Sequence, residues 1–318
     1  MYGLTHSAQS PTRAMQLSTE SATSLREPMN TAKRNLFRLR LQKVMFGLLY
    51  ASAAINVLAL SGVCLYLAVN GFSSLSWEFL TEYPRKMMTE GGIMPCIVGT
   101  FLLAFGSMII VFPIGVATAV YLHEYSRNSR LTYYIRFGIN NLAGVPSIVF
   151  GLFGLSFFVT FLGLGVSLIS GILTLSILTL PIIINTAEES LRRVPDSWRE
   201  ASFAMGATKV QTILRVVIPA AFPGMLTGCI LGLARAAGET GAIMFTAAVY
   251  FTPHMPDSLL SPVMSLPYHM YILATSGTEI EKTLPLQYGT ALMLIFLVVG
   301  MNLLAIILRD RLQNKNKQ

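Results

Sequence analysis

Charge is scarce in this 318-residue chain: Asp, Glu, Lys and Arg together make up 12%, about half of the usual ~25%. Hydrophobic residues make up 53% and the mean hydropathy is +0.60. Too little polar surface remains to cover a soluble fold, and a disordered chain is excluded too. Cysteine is rare: Cys64, Cys96 and Cys229 lie scattered through apolar stretches. That pattern excludes a disulfide framework or thiolate cluster and leaves three small buried hydrophobes. There is no Gly-Lys pair, hence no Walker loop, and His123-Glu124 is followed by Arg127 where a zinc motif needs His. No catalytic set, metal site or bound cofactor is signalled. The net charge of +8 is not gathered into a basic patch on a folded domain, so nucleic acid is not the expected partner.

Long uncharged runs are what the sequence does have, and they specify an all-α integral membrane protein in contact with the lipid bilayer. A helix needs about 20 apolar residues to cross the hydrocarbon. Six spans are expected, at about 44–70, 92–121, 137–162, 166–187, 216–250 and 286–308. The third and fourth share one charge-free stretch, with Gly163-Leu164-Gly165 as the reversal between them. Residues 1–34, rich in Ser and Thr, read as a disordered polar cytoplasmic tail, and 35–318 as one transmembrane domain. Lys and Arg number seven in the N-terminal tail, three in 123–136, five in 188–215 and four after 308. Facing them are only Arg85, Lys86 and Lys282, a bias that places both termini in the cytoplasm. Segment 251–285 is then an external loop with short helical or re-entrant pieces.

The cytoplasmic loop 188–215 is too polar for lipid yet helical in pattern. Ser197-x-x-Glu200 and Thr208-x-x-Gln211 fit capping boxes, and Gly206 between them fits a left-handed turn. The expectation is a short surface helix, a sharp turn, then a helix rising into span five. Trp198, Phe203 and Met205 would stand outside the bilayer, either to dock a partner or as one face of an amphipathic surface helix. From the residues alone both readings stand.

Glu200-Ala201-Ser202, then Gly206, Val216, Ile218 and Pro219, resemble the EAA loop of ABC-importer permeases. Within that group, NLAGVPSIVFGLFGLSFFV at 141–159 and LARAAGETG at 233–241 resemble phosphate-importer permeases of the PstA type, over roughly 90–309. After Thr240 this chain has Gly241-Ala242 where that pattern has Ala-Pro. The resemblance implies a six-helix permease fold and an inner-membrane location. Trp198, Glu200, Ala201, Ser202, Gly206, Ala207 and Thr208 would form the coupling helix that docks an ATP-binding subunit dimer. ATP and Mg would be used there, not by this chain. A second permease half, a related but different chain, would complete the pathway, and an external phosphate-binding protein would deliver substrate. Molybdate, sulfate or phosphonate are alternative cargoes, and a non-transporting scaffold docked to an ATPase is a further reading.

Arg235 and Glu239 are charges within span five, where ionised groups must face a partner or a wet cavity. At 100° per residue, Gly224, Gly228, Gly232, Arg235 and Glu239 share an arc of about 80°. The glycines would let another helix approach. The charges are either an i,i+4 ion pair that fixes packing or an anion pathway, in which guanidinium forks onto phosphate oxygens and the carboxylate accepts the proton of hydrogen phosphate. The resemblance implies the second. Pro146-Ser147 inside span three would kink the helix or line the same pathway. An embedded enzyme would have only Glu239, His254 and His269 as acid–base groups, with no nucleophile spaced to use them.

Overall fold

The computed structural model describes residues 11–85, 90–126, 129–252, 254–276 and 280–315. Residues 1–10 of the expected tail and Lys86 lie outside these. The chain divides into a unit ending at Leu65 and a second from Tyr66 onward.

The first unit is the body of helix α1 (Pro11–Gly71). It takes in 11–34, so that part of the expected unstructured tail is helical. The span-length apolar stretch Leu41–Ser74 begins in this unit and ends in the second.

The second unit, as far as it is described, is mostly helical, with one short hairpin and an irregular stretch over 238–265. Helix α2 (Trp77–Thr81), capped by Ser76, leads to strands β1 (Pro84–Arg85) and β2 (Glu90–Gly91), which pair antiparallel. Helix α3 (Met94–Val120) carries Pro95 in its first turn, where a missing N–H costs nothing, and ends in a π-turn over Tyr121–Tyr125. Helices α4 (Arg130–Ala143) and α5 (Ser147–Gly154) follow, α5 continuing through a π-turn to Phe161. Gly163 and Gly165 both take positive φ and reverse the chain, as their lack of Cβ allows. Ser167 then caps α6 (Leu168–Arg192). Short helices α7 (Asp196–Ala204) and α8 (Lys209–Thr212) precede a π-turn and α9 (Ile218–Ala237). Helices α10 (Leu266–Ser276) and α11 (Ile280–Lys315) close the chain.

The core is the packing of α3, α6 and α9 on one another, with Leu103, Met108, Val111, Leu175, Ile183 and Leu233 among the side chains buried there. Among the described residues five helices are long and apolar enough to span a bilayer, six if α4 with α5 counts as one bent span. The span count is thus met, with two corrections. Span three is not continuous over 137–162: its helix starts at Arg130, breaks after Ala143 and resumes at Ser147, bent by 105°. Pro146 forces this, since it cannot donate an amide and pushes the residue before it out of the helical region. Span five runs over Lys209–Ala237, not to 250, because Gly238 ends α9. Segment 251–285 does hold a short helix, α10.

Candidate functional site

Helices α9 and α6 run antiparallel through the three glycines expected at a helix contact. A Cβ on Gly224 or Gly228 would collide with Ser190 or Thr186, and one on Gly232 would stand 3.0 Å from Ile183 Cδ1. The two backbones are therefore as close as small residues allow. Extending this register at 1.5 Å per residue places the end of α9 level with about the middle of α6. Beyond it, 239–247 is built of turns, and Thr246 O reaches the Ser167 amide at the start of α6 (3.0 Å). Span five is therefore the helix over Lys209–Ala237, and the irregular backbone that follows it turns back beside α6.

That irregular segment lies against α5. A Cβ on Gly151 would stand 2.6 Å from Gly241 O and 3.1 Å from Ala242 O. One on Gly241 would stand 3.0 Å from Ser147 Oγ, 3.4 Å from Ile148 N and 3.6 Å from Glu239 Oε1. Ser147 and Glu239, far apart in sequence, are thus brought around Gly241, just after Pro146 and the break in the third span. The Val149 amide donates to Pro146 O (3.0 Å), whereas the Ser147 and Ile148 amides at the start of α5 have no intrahelical acceptor, and the helix dipole makes this end favourable to anions.

The charged residues are not arranged as the straight-helix arithmetic predicts. Glu239 lies past the end of α9, so it does not share the glycine face. Its Oε1 accepts the amides of Gly241 (3.1 Å) and Ala242 (3.4 Å), folding the turn around the carboxylate. Arg235, in the last turn of α9, is exposed, and among the described residues no carboxylate pairs with it. The i,i+4 ion pair is absent because Gly238 takes Glu239 off the helix. The helix that ends beside Arg235 favours a cation through its dipole.

The second candidate site is the α7–α8 element. The short helix, the turn at Gly206 (φ +82°) and the rising helix are all present. Thr208 and Gln211 form the expected capping box. The other box does not form: Pro195 takes the cap position and Asp196 the first turn, leaving Glu200 exposed. Trp198, Phe203 and Met205 are 51%, 46% and 87% exposed. Ala201, Gly206 and Thr208 are exposed as well, Ala207 is half-buried, and Ser202 bonds Thr212 across the turn (2.8 Å).

Sequence reasoning missed what holds this element. Arg199 is buried, its Nη2 2.8 Å from Glu124 Oε1, with Val194 O (2.8 Å), Leu191 O (3.2 Å) and Asp196 Oδ1 (3.1 Å) as further acceptors. Lys209 Nζ stands 4.6 Å from the centre of the Tyr125 ring. Nearby, Arg136 on α4 pairs with buried Glu188 on α6. The available signal was Glu124 itself, an acid at the end of a long uncharged run, opposite a loop with a single arginine inside its short helix.

The profile of one protein family, described as binding-protein-dependent transport system inner membrane component, matches residues 111–318. The chain belongs to that family. This permease is 34% identical over 266 residues to the probable ABC transporter permease protein YqgI of Bacillus subtilis, covering 80% of this chain and 90% of the relative. It is 38% identical over 220 residues to the phosphate transport system permease protein PstA 1 of Mycobacterium tuberculosis strain H37Rv, covering 69% and 70%. With PstA of Haemophilus influenzae the identity is 33% over 251 residues, covering 78% and 86%. The fold recurs in a bacterial ABC transporter that imports alginate (TM-score 0.57, 14% identity, 87% of this chain and 99% of that one) and in the MetNI methionine transporter (0.53, 21%, 70% and 94%). The permease is accordingly a multi-pass inner-membrane transport subunit.

Proposed function

We infer that this permease is a subunit of an ATP-driven importer that carries inorganic phosphate into the cytoplasm by alternating access. The observation that carries the reading is the likeness, over most of the chain, to permeases named for phosphate transport. The site chemistry supports it. Arg235 offers a planar fork matched to phosphate oxygens and free of a protein carboxylate. Ser147 and the first amides of α5 add neutral donors at the break in span three. Glu239 shapes the turn with Oε1, and its second oxygen is the acceptor for the proton of hydrogen phosphate, which sulfate does not carry. Helices broken at such a site are a familiar arrangement in transporters.

On this reading residues 198–208 dock the ATP-binding subunits, which hold ATP and Mg, and both termini of this chain are cytoplasmic. A related second permease half completes the pathway, and an external phosphate-binding protein meets loops 70–90 and 251–285. Closure of the ATPase dimer would move α7, tilt the spans and open the site beside Arg235 to the cytoplasm.

The test is reconstitution of the permease with these partners in proteoliposomes, following ATP hydrolysis and labelled-anion uptake. Stimulation and uptake with phosphate-loaded binding protein alone are expected. A response to sulfate or molybdate instead would keep the architecture and overturn the cargo, and absence of any uptake would leave the scaffold reading.

A further inference from the structure

Helix α7 is joined covalently to α6 through 193–195 and to α9 through α8. Helix α3 has no such connection, since 75 residues separate Glu124 from Arg199. Yet the Arg199 guanidinium gathers three elements at one point: the end of α6 through Leu191 O and Val194 O, the start of α7 through Asp196, and the end of α3 through Glu124. The Glu124 and Arg199 side chains are 8% and 11% exposed. A buried ion pair is commonly no better for stability than an apolar contact of the same volume. What it supplies is direction, because the fork is rigid and planar and its acceptors fix it from several sides. On the Arg235 side, α3 continues the path: a Cβ on Gly232 would lie 3.2 Å from Met108 Sδ, three residues before Arg235.

We propose that Arg199 and Glu124 are positioning residues for transport, a rigid link by which displacement of the docking helix α7 is passed to α3 and so to the wall of the Arg235 site. The link rests on the reading of α7 as the ATPase-docking element. Without it, α7 would still bind the ATPase and ATP would still turn over, but α3 would no longer follow.

Glu124→Gln keeps the shape and removes the charge; Arg199→Lys keeps the charge and removes the fork. Each is assembled with the ATPase and binding protein, and three quantities are read: ATPase co-purified, ATP hydrolysed, and phosphate moved per ATP. The expected result is full co-purification, near-normal ATP turnover and a fall in phosphate per ATP of about tenfold, the size of a typical coupling between sites. With the ATPase still bound, a parallel fall of turnover and uptake, or an unchanged ratio, would each overturn the link. Met205→Asp, on the exposed face, tests docking separately: if it leaves the ATPase bound, the docking reading fails rather than the link. Should a variant fail to assemble, the link is read instead in the complex that keeps Glu124 and Arg199, with spin labels at Tyr121→Cys and Ala204→Cys and with Cys64, Cys96 and Cys229 replaced by Ala. The proposal requires their separation to stay within about 2 Å between nucleotide-free and ATP-trapped states, and a larger change would overturn it.

Discussion

Ser147 and Glu239, 92 positions apart in the chain, face the same glycine: a Cβ on Gly241 would stand 3.0 Å from the Ser147 hydroxyl and 3.6 Å from Glu239 Oε1. Gly241→Ala adds a single methyl that a rotation of Ser147 can accommodate. Gly241→Val adds two more carbons beside the carboxylate and the Ile148 amide, and overpacking of this kind costs about 1–3 kcal/mol. Gly241→Ala should keep most uptake and Gly241→Val lose it, with both present in the membrane at equal amounts. Equal uptake by the two would show that this contact does not shape the site.

Arg235→Gln should abolish phosphate uptake while the assembled complex is recovered in normal yield, because no carboxylate among the described residues depends on the guanidinium. Arg235→Lys keeps the charge but not the fork, and should retain a small fraction of the activity. Uptake in proteoliposomes measures both. Wild-type transport by the Gln variant would remove Arg235 from the pathway.

The glycine contact between α9 and α6 makes a paired prediction about stability. Gly228→Leu places its side chain into Thr186 and should destabilise the protein by several kcal/mol, lowering its thermal unfolding midpoint in detergent. Gly300→Leu, on α11, meets open space and should leave the midpoint near the wild-type value.

His269, in the short helix α10, is 4% exposed and its Nδ1 has no hydrogen-bond partner among the described residues. Burial pushes its pKa down to about 4 from the usual 6.5. The unfolded chain therefore takes up a proton that the folded one refuses between these values. This contribution to stability is whole above about pH 6.5 and is lost as pH falls towards 4, with a slope of up to about 1.4 kcal/mol per pH unit. Unfolding midpoints followed from pH 7.5 to 4.5 should drop less steeply in His269→Leu than in the wild type. Parallel curves would assign the acid sensitivity elsewhere.

Much of this arrangement is written locally. The apolar runs announce the spans, Gly206 with Thr208 and Gln211 announces the turn beneath span five, and Gly224, Gly228 and Gly232 mark a helix contact at their own spacing. Less local features are hidden for identifiable reasons. The apolar run over 242–249 has the composition of a span, so nothing in it reveals that Gly238 has already stopped α9. Pro146 signals a kink, but the size of the bend depends on α5 packing against a turn about 95 residues later. Arg199 reads as one more positive charge in a cytoplasmic loop until Glu124 is seen beside it.

The irregular segment that follows span five bears on the order in which the protein is made. Its backbone groups are satisfied by both earlier and later chain: Thr246 O by the Ser167 amide, and the Val249 amide by Val263 O, with Val263 N returning to Ala247 O. Unpaired peptide groups do not enter hydrocarbon alone. As α9 leaves the ribosome, α5 and α6 are already available to receive it, but Val263 has not yet been synthesised. The turns after α9 therefore close part of their pairing within themselves, the Ala247 and Ala248 amides on Ile243 O, and complete the rest only once Val263 has been made.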